Sequence, residues 1–125
     1  MSESKIREKI CIFAASIFDR GITHGSTGNI SVRLDDDEIL VTPSGSSFGR
    51  LDPNQIVKIT KTGQFIGSLS PTKELPLHKA FYETRGLKSG AVVHLHSTHS
   101  VALSMLPDTD EDNVSPSYTP YSIML

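Results

Sequence analysis

A chain of 125 residues is long enough for one compact domain with its own core and too short for two of ordinary size. Hydrophobic residues at 37% and charged residues at 21% match globular averages, which argues against a disordered or fibrous chain. With 12 basic against 14 acidic residues the formal net charge is −2, so no general cationic field exists to hold nucleic acid or an anionic membrane, and any phosphate is expected to be bound locally.

The single cysteine, Cys11, cannot form an internal disulfide, and Met1–Lys5 lacks the basic stretch and apolar core of a signal peptide. A cytoplasmic location is the expectation. No apolar run approaches the roughly 18 residues that suggest a membrane helix, and no internal repeat is present.

In chain order, Ile6, Ile10, Phe13, Ala14 and Ile17 recur at helical spacing, with Gly21 where a left-handed C-terminal cap is expected, so the first 20 residues read as an amphipathic helix. His24–Asn29 reads as a loop. Alternating runs at Ile30–Leu34 and Glu38–Thr42, separated by three aspartates, predict an antiparallel hairpin. Pro43–Ser47 is a second loop, and Ile56–Thr60 with Gln64–Ile66 flank Lys61-Thr62-Gly63 as a second hairpin. Pro71 is read as opening another helix, with Leu75, His78, Phe81 and Tyr82 on one face, Pro76 tolerated near its first turn and Gly86 at its end. Ala91–His96 predicts a strand apolar enough to be central, and Thr98 is placed to cap a helix running to about Leu106. Asp108–Asp112 reads as a solvated loop, and Tyr121–Leu125 as the beginning of a strand.

Chemistry-bearing residues concentrate in a few places. On a strand, His94 and His96 would project from one face about 6–7 Å apart at the backbone, so that two imidazoles could converge on one cation. Zinc accepts imidazole nitrogen at about 2.0–2.1 Å and, in a catalytic site, about three protein ligands. The spacing serves equally for two hydrogen-bonded core histidines. His99 is a second-choice ligand, because the change from strand to helix leaves its direction unset. His78, on an apolar helix face, reads as a satisfied core histidine, and His24 lies in a loop.

Ser26–Asn29, Ser44–Ser47 and Thr72-Lys73 place hydroxyl, amide and glycine groups in loops, and the third adds a lysine ammonium at a predicted helix start. Together they could cradle a phosphate; singly each is an ordinary turn. Glu74, in the predicted first helical turn, serves either a charge–dipole interaction worth about 0.3–1 kcal/mol or, beside a metal, ligation and proton transfer.

The order of these motifs, Gly28-Asn29-Ile30-Ser31, Thr42-Pro43-Ser44-Gly45, Lys73-Glu74 and His94-Leu95-His96, resembles the class II aldolase/adducin family over nearly the whole chain. Within it, Pro71–His78 and Val93–His99 look most like the 3-oxo-tetronate 4-phosphate decarboxylases, whereas the aldolases tend to carry Ser-Ser-Glu in place of Thr72-Lys73-Glu74.

The resemblance implies an α/β fold over residues 1–125: a three-layer α/β/α domain around a mainly antiparallel sheet, assembled as a homotetramer with active sites near subunit contacts. It further implies that Gly28, Asn29, Ser44, Gly45, Thr72 and Lys73 hold the substrate phosphate. Glu74, His94 and His96 would hold one zinc ion per subunit, with Glu74 also transferring protons. The family pattern supplies a third zinc histidine from beyond Leu125, so the sequence is expected to be the N-terminal part of a longer domain. The implied reaction is zinc-dependent decarboxylation of 3-oxo-tetronate 4-phosphate to dihydroxyacetone phosphate. The alternatives are a sugar-phosphate aldolase of the L-fuculose-phosphate type and a non-catalytic adducin-like interaction module.

Overall fold

The apolar spacing read in the first segment forms a helix, α1, over Glu3–Asp19 in the computed structural model, which describes residues 1–106. Its end is closed by Gly21 at φ 69°, with Gly21 N–H donating to the Phe18 carbonyl and Ile22 N–H reaching back to the Ile17 carbonyl at 3.1 Å. Ile10 and Ala14 are buried, whereas Phe13 is 62% exposed and so departs from the predicted core face. Glu3 and Arg7 tie the start of the helix to the sheet: Arg7 donates to the Ile56 carbonyl and Glu3 accepts from Lys58.

Five strands follow the predicted hairpins: β1 Asn29–Arg33, β2 Ile39–Val41, β3 Val57–Ile59, β4 Phe65–Ile66 and β5 Ala91–His94. They form one sheet in the order β4-β3-β2-β1-β5, every neighbouring pair antiparallel. The aspartate turn closes the first hairpin with Asp37 at φ 63°, and Gly63 at φ 85° turns the second.

Because strand side chains alternate, the sheet presents two faces. Ile30 and Leu40 pack with Ile10, Ala14, Phe48 and Ile56 on the α1 side. Ile39, Val41, Val57 and Ile59 pack with Tyr82 of the helix α2, Leu75–Arg85, on the other. This is the expected helix–sheet–helix layering. Beside α1, the outer part of the sheet keeps an open apolar groove lined by Ile6, Phe13, Ile17, Val32, Ala91 and Val93.

Four local expectations are corrected. Helix α2 begins at Leu75 rather than Pro71, because Pro71 forms an isolated antiparallel bridge with Pro43 and Thr72 N–H donates to the Thr42 carbonyl, holding residues 71–72 extended. Phe81 is 42% exposed, so the buried face of α2 carries His78 and Tyr82 without it. Strand β5 ends at His94, leaving His96 beyond it, and among the described residues it lies at the end of the strand order, with Ala91 and Val93 exposed. The helix cap after β5 is Ser97, one residue before Thr98.

The chain divides into two units, Met1–Leu95 and one that begins at His96. All five strands and the first two helices belong to the first. The second contains α3, Thr98–Ser104, in which no residue is buried and Ser97 Oγ–H donates to Ser100 Oγ at 2.8 Å. The stretches Asp108–Asp112 and Tyr121–Leu125 lie outside the described residues. Among the described residues no helix is long and apolar enough to cross a membrane.

Leu40 is completely buried at the centre of the α1 side. Leu40→Ala is expected to destabilise the fold by about 2–5 kcal/mol, read as a lower urea midpoint with an unchanged slope.

Candidate metal centre

The register of β1 against β5 sets the site. Asn29 opens β1 and stands directly opposite His94, the last residue of β5, so both project from the face that α2 covers. Close approach of the two strands requires glycine at position 28: its φ is +85°, and an added Cβ would lie 3.1 Å from the His94 carbonyl oxygen. Glu74 occupies the N-cap position of α2 above this pair. Its Oε2 accepts from Asn29 Nδ2 at 2.6 Å and from His94 Nδ1 at 2.5 Å.

Beneath Glu74 the contacts continue into the core. His78, fully buried one helical turn later, lies with Nε2 at 2.5 Å from Asn29 Oδ1 and Nδ1 at 2.7 Å from Ser31 Oγ. Ser31 Oγ is in turn 2.7 Å from the Tyr82 hydroxyl. Arg33 closes the far end, donating to the Tyr82 and Gly86 carbonyls with its guanidinium 4.6 Å from the Tyr82 ring centroid. Burial holds the His78 imidazole below its ordinary value, with the nearby His94 acting in the same direction, and burial pushes the Tyr82 phenol up.

The loop residues converge on the same end of the sheet. Thr42 N–H donates to the Ile30 carbonyl, Ile30 N–H donates to Thr42 Oγ1, and Thr72 N–H donates to the Thr42 carbonyl. Ser44 N–H donates to the Ser70 carbonyl, so the loop carrying Ser44 and Gly45 is tied to the extended segment leading into Thr72 and Lys73. Thr72 is buried with Oγ1 accepting from Glu74 N–H at 3.3 Å, and Lys73 is exposed. Ser44 and Gly45 line an open polar cleft with Gly25, Ser26 and Arg50; Gly28, Asn29, Thr72 and Lys73 do not line it.

Glu74, His94 and His96 each offer one ligand atom of a kind that suits a divalent cation. Of the three, Glu74 and His94 meet within the first unit, and His96 follows two residues along the chain, exposed, at the start of the second. His99 is exposed within α3, and His24 is exposed in its loop. Sequence reasoning missed Ser31 and Tyr82 as parts of the site's support and Arg50 as a cation on the polar cleft. The four-residue spacing of Glu74, His78 and Tyr82 was the available signal for the first two.

Residues 8–124 match the Class II Aldolase and Adducin N-terminal domain. The chain belongs to this family. It is 45% identical over 123 residues to a 3-oxo-tetronate 4-phosphate decarboxylase of Cupriavidus necator, covering 98% of the chain and 56% of the relative. An L-fuculose phosphate aldolase of Escherichia coli is 33% identical over 106 residues, 85% of the chain and 48% of that protein. Among solved structures, YgbL of Escherichia coli, described as a putative aldolase/epimerase/decarboxylase, superposes with a TM-score of 0.86 at 41% identity, covering 98% of the chain and 58% of that structure's chain. The chain thus spans somewhat over half the length of these decarboxylase-type relatives.

The buried His78 gives the family domain a pH dependence of stability. Its folded pKa lies below the unfolded value of about 6.5, so the unfolded chain binds the proton first, and stability present above that pH is lost as pH falls through the folded pKa. The melting temperature is expected to drop between pH 7 and pH 5.5, and His78→Gln should remove that component of the slope.

Proposed function

We propose that the protein is a zinc-dependent lyase that decarboxylates 3-oxo-tetronate 4-phosphate. The observation that carries the reading is the contact of the Glu74 carboxylate with the His94 imidazole at 2.5 Å, next to the segment where Ser44 N–H donates to the Ser70 carbonyl and Thr72 N–H to the Thr42 carbonyl. Support for the substrate comes from the higher identity to the named decarboxylase than to the named aldolase, 45% against 33%.

In this reading Glu74, His94 and His96 hold the ion, a carboxylate-and-imidazole donor set that fits zinc and leaves room for substrate. Zinc bound there supplies Lewis-acid stabilisation of negative charge developing on substrate oxygens. Gly28, Ser44, Gly45, Thr72 and Lys73 hold the phosphate, together with the Asn29 amide hydrogen that is not directed at Glu74, and Arg50 contributes a guanidinium from the polar cleft. When the bond between the carboxylate carbon and C2 breaks, carbon dioxide leaves and its electron pair moves through C2 towards the C3 oxygen. A proton taken up from solvent then reaches C2 from Glu74, once substrate displaces that carboxylate from the ion, or from a water it orients, which gives dihydroxyacetone phosphate.

Assembly as a homotetramer in the cytoplasm is part of the same proposal. The apolar groove with Phe13 and Val93, 62% and 51% exposed, supports coverage by further protein.

The zinc-loaded protein incubated with 3-oxo-tetronate 4-phosphate should release carbon dioxide, and with L-fuculose 1-phosphate no aldehyde. Aldehyde from the second and nothing from the first would replace the decarboxylase by an aldolase. His94→Ala should lose bound zinc and activity together, and retention of full zinc by that variant would make His94 a structural residue.

A further inference from the structure

The hydrogen bonds beneath Glu74 admit one arrangement of protons. A carboxylate oxygen only accepts, so the Asn29 group 2.6 Å from Glu74 Oε2 must be the amide nitrogen; the flipped amide would press two acceptors together. That orientation points Asn29 Oδ1 at His78 Nε2, which must therefore carry a hydrogen. A neutral imidazole carries one, so Nδ1 accepts, and its partner Ser31 Oγ donates. Having spent its single hydrogen, Ser31 accepts from the Tyr82 hydroxyl, so that hydrogen bonds run one way from Tyr82 to Glu74. Asn29, Ser31, His78 and Tyr82 are all buried, which keeps water from offering substitute partners.

We propose that this line makes Asn29 a positioning residue for Glu74, with His78 in its Nε2–H tautomer as the group that fixes the Asn29 amide. The side chain of Asn29 is thereby committed to the carboxylate as well as to any phosphate. Helix α2 and strand β1 supply the two rails: Glu74, His78 and Tyr82 recur every four residues on the helix, and Asn29 and Ser31 every two on the strand. The inference rests on the proposed role of Glu74 but concerns only how its carboxylate is held.

The closing experiment reads the tautomer directly. In the metal-free chain labelled with ¹⁵N-histidine, two-bond proton–nitrogen spectra at neutral pH should show His78, assigned by its loss in His78→Gln, as the neutral Nε2–H form. An Nδ1–H tautomer or an imidazolium overturns the proposal. As a second measurement, Asn29→Ala should weaken zinc binding about tenfold or more. Unchanged zinc affinity in a folded variant also overturns it. Nε2–H at His78 in a chain that takes up no zinc would uphold the line and sink the metal reading, whereas zinc binding beside an Nδ1–H His78 would do the reverse.

Discussion

The site depends on the match in pitch between one helix and one strand. Four helical residues advance about 6 Å and two strand residues about 6.7 Å, so Glu74, His78 and Tyr82 can each meet a partner from Asn29, Ser31 and Arg33 along the length of β1. A helix laid across the strand at a steep angle would make one such contact. Here the polar contacts continue from the N-cap of α2 to its last carbonyls, where Arg33 accepts the task of a C-terminal cap. The apolar residues on either side, Val41, Ile59 and Val92, seal the ladder from water, which raises the cost of leaving any member unpaired.

Much of this frame was legible in the sequence, because it rests on local rules. The period of Ile6, Ile10, Ala14 and Ile17 and the glycine that follows specify α1, and Asp35–Asp37 and Lys61–Gly63 specify where the two hairpins turn. The errors arose where a distant segment decides. Pro71 looked like a helix start, yet its bridge to Pro43 keeps it extended and shifts the helix to Leu75. Apolar composition made Ala91–His96 look central, but Ala91 and Val93 face the open groove and only the alternate residue Val92 packs into the core.

At the site, residue types were more legible than roles. His78 was read as a satisfied core histidine, and it is buried with both nitrogens engaged. What no periodicity conveys is that one of its partners also touches Glu74, since Asn29 lies 45 residues from Glu74 in sequence. A buried serine in a strand gives the same ambiguity: Ser31 has the pattern of a core position and the chemistry of a connector, and only the tyrosine and histidine of the facing helix decide between them.

The placement of His94 on β5 carries a consequence for how the site holds together. This strand has four residues, ends the strand order among those described and is only half covered, the properties of a segment that opens locally well before the rest of a fold. Yet it contributes both the imidazole and Val92, which packs against the core cluster that contains Tyr82. Docking of this half-covered strand and assembly of the ligand cluster are therefore a single equilibrium, and by linkage any cation that favours the cluster also shields the amides of β5 from exchange with solvent.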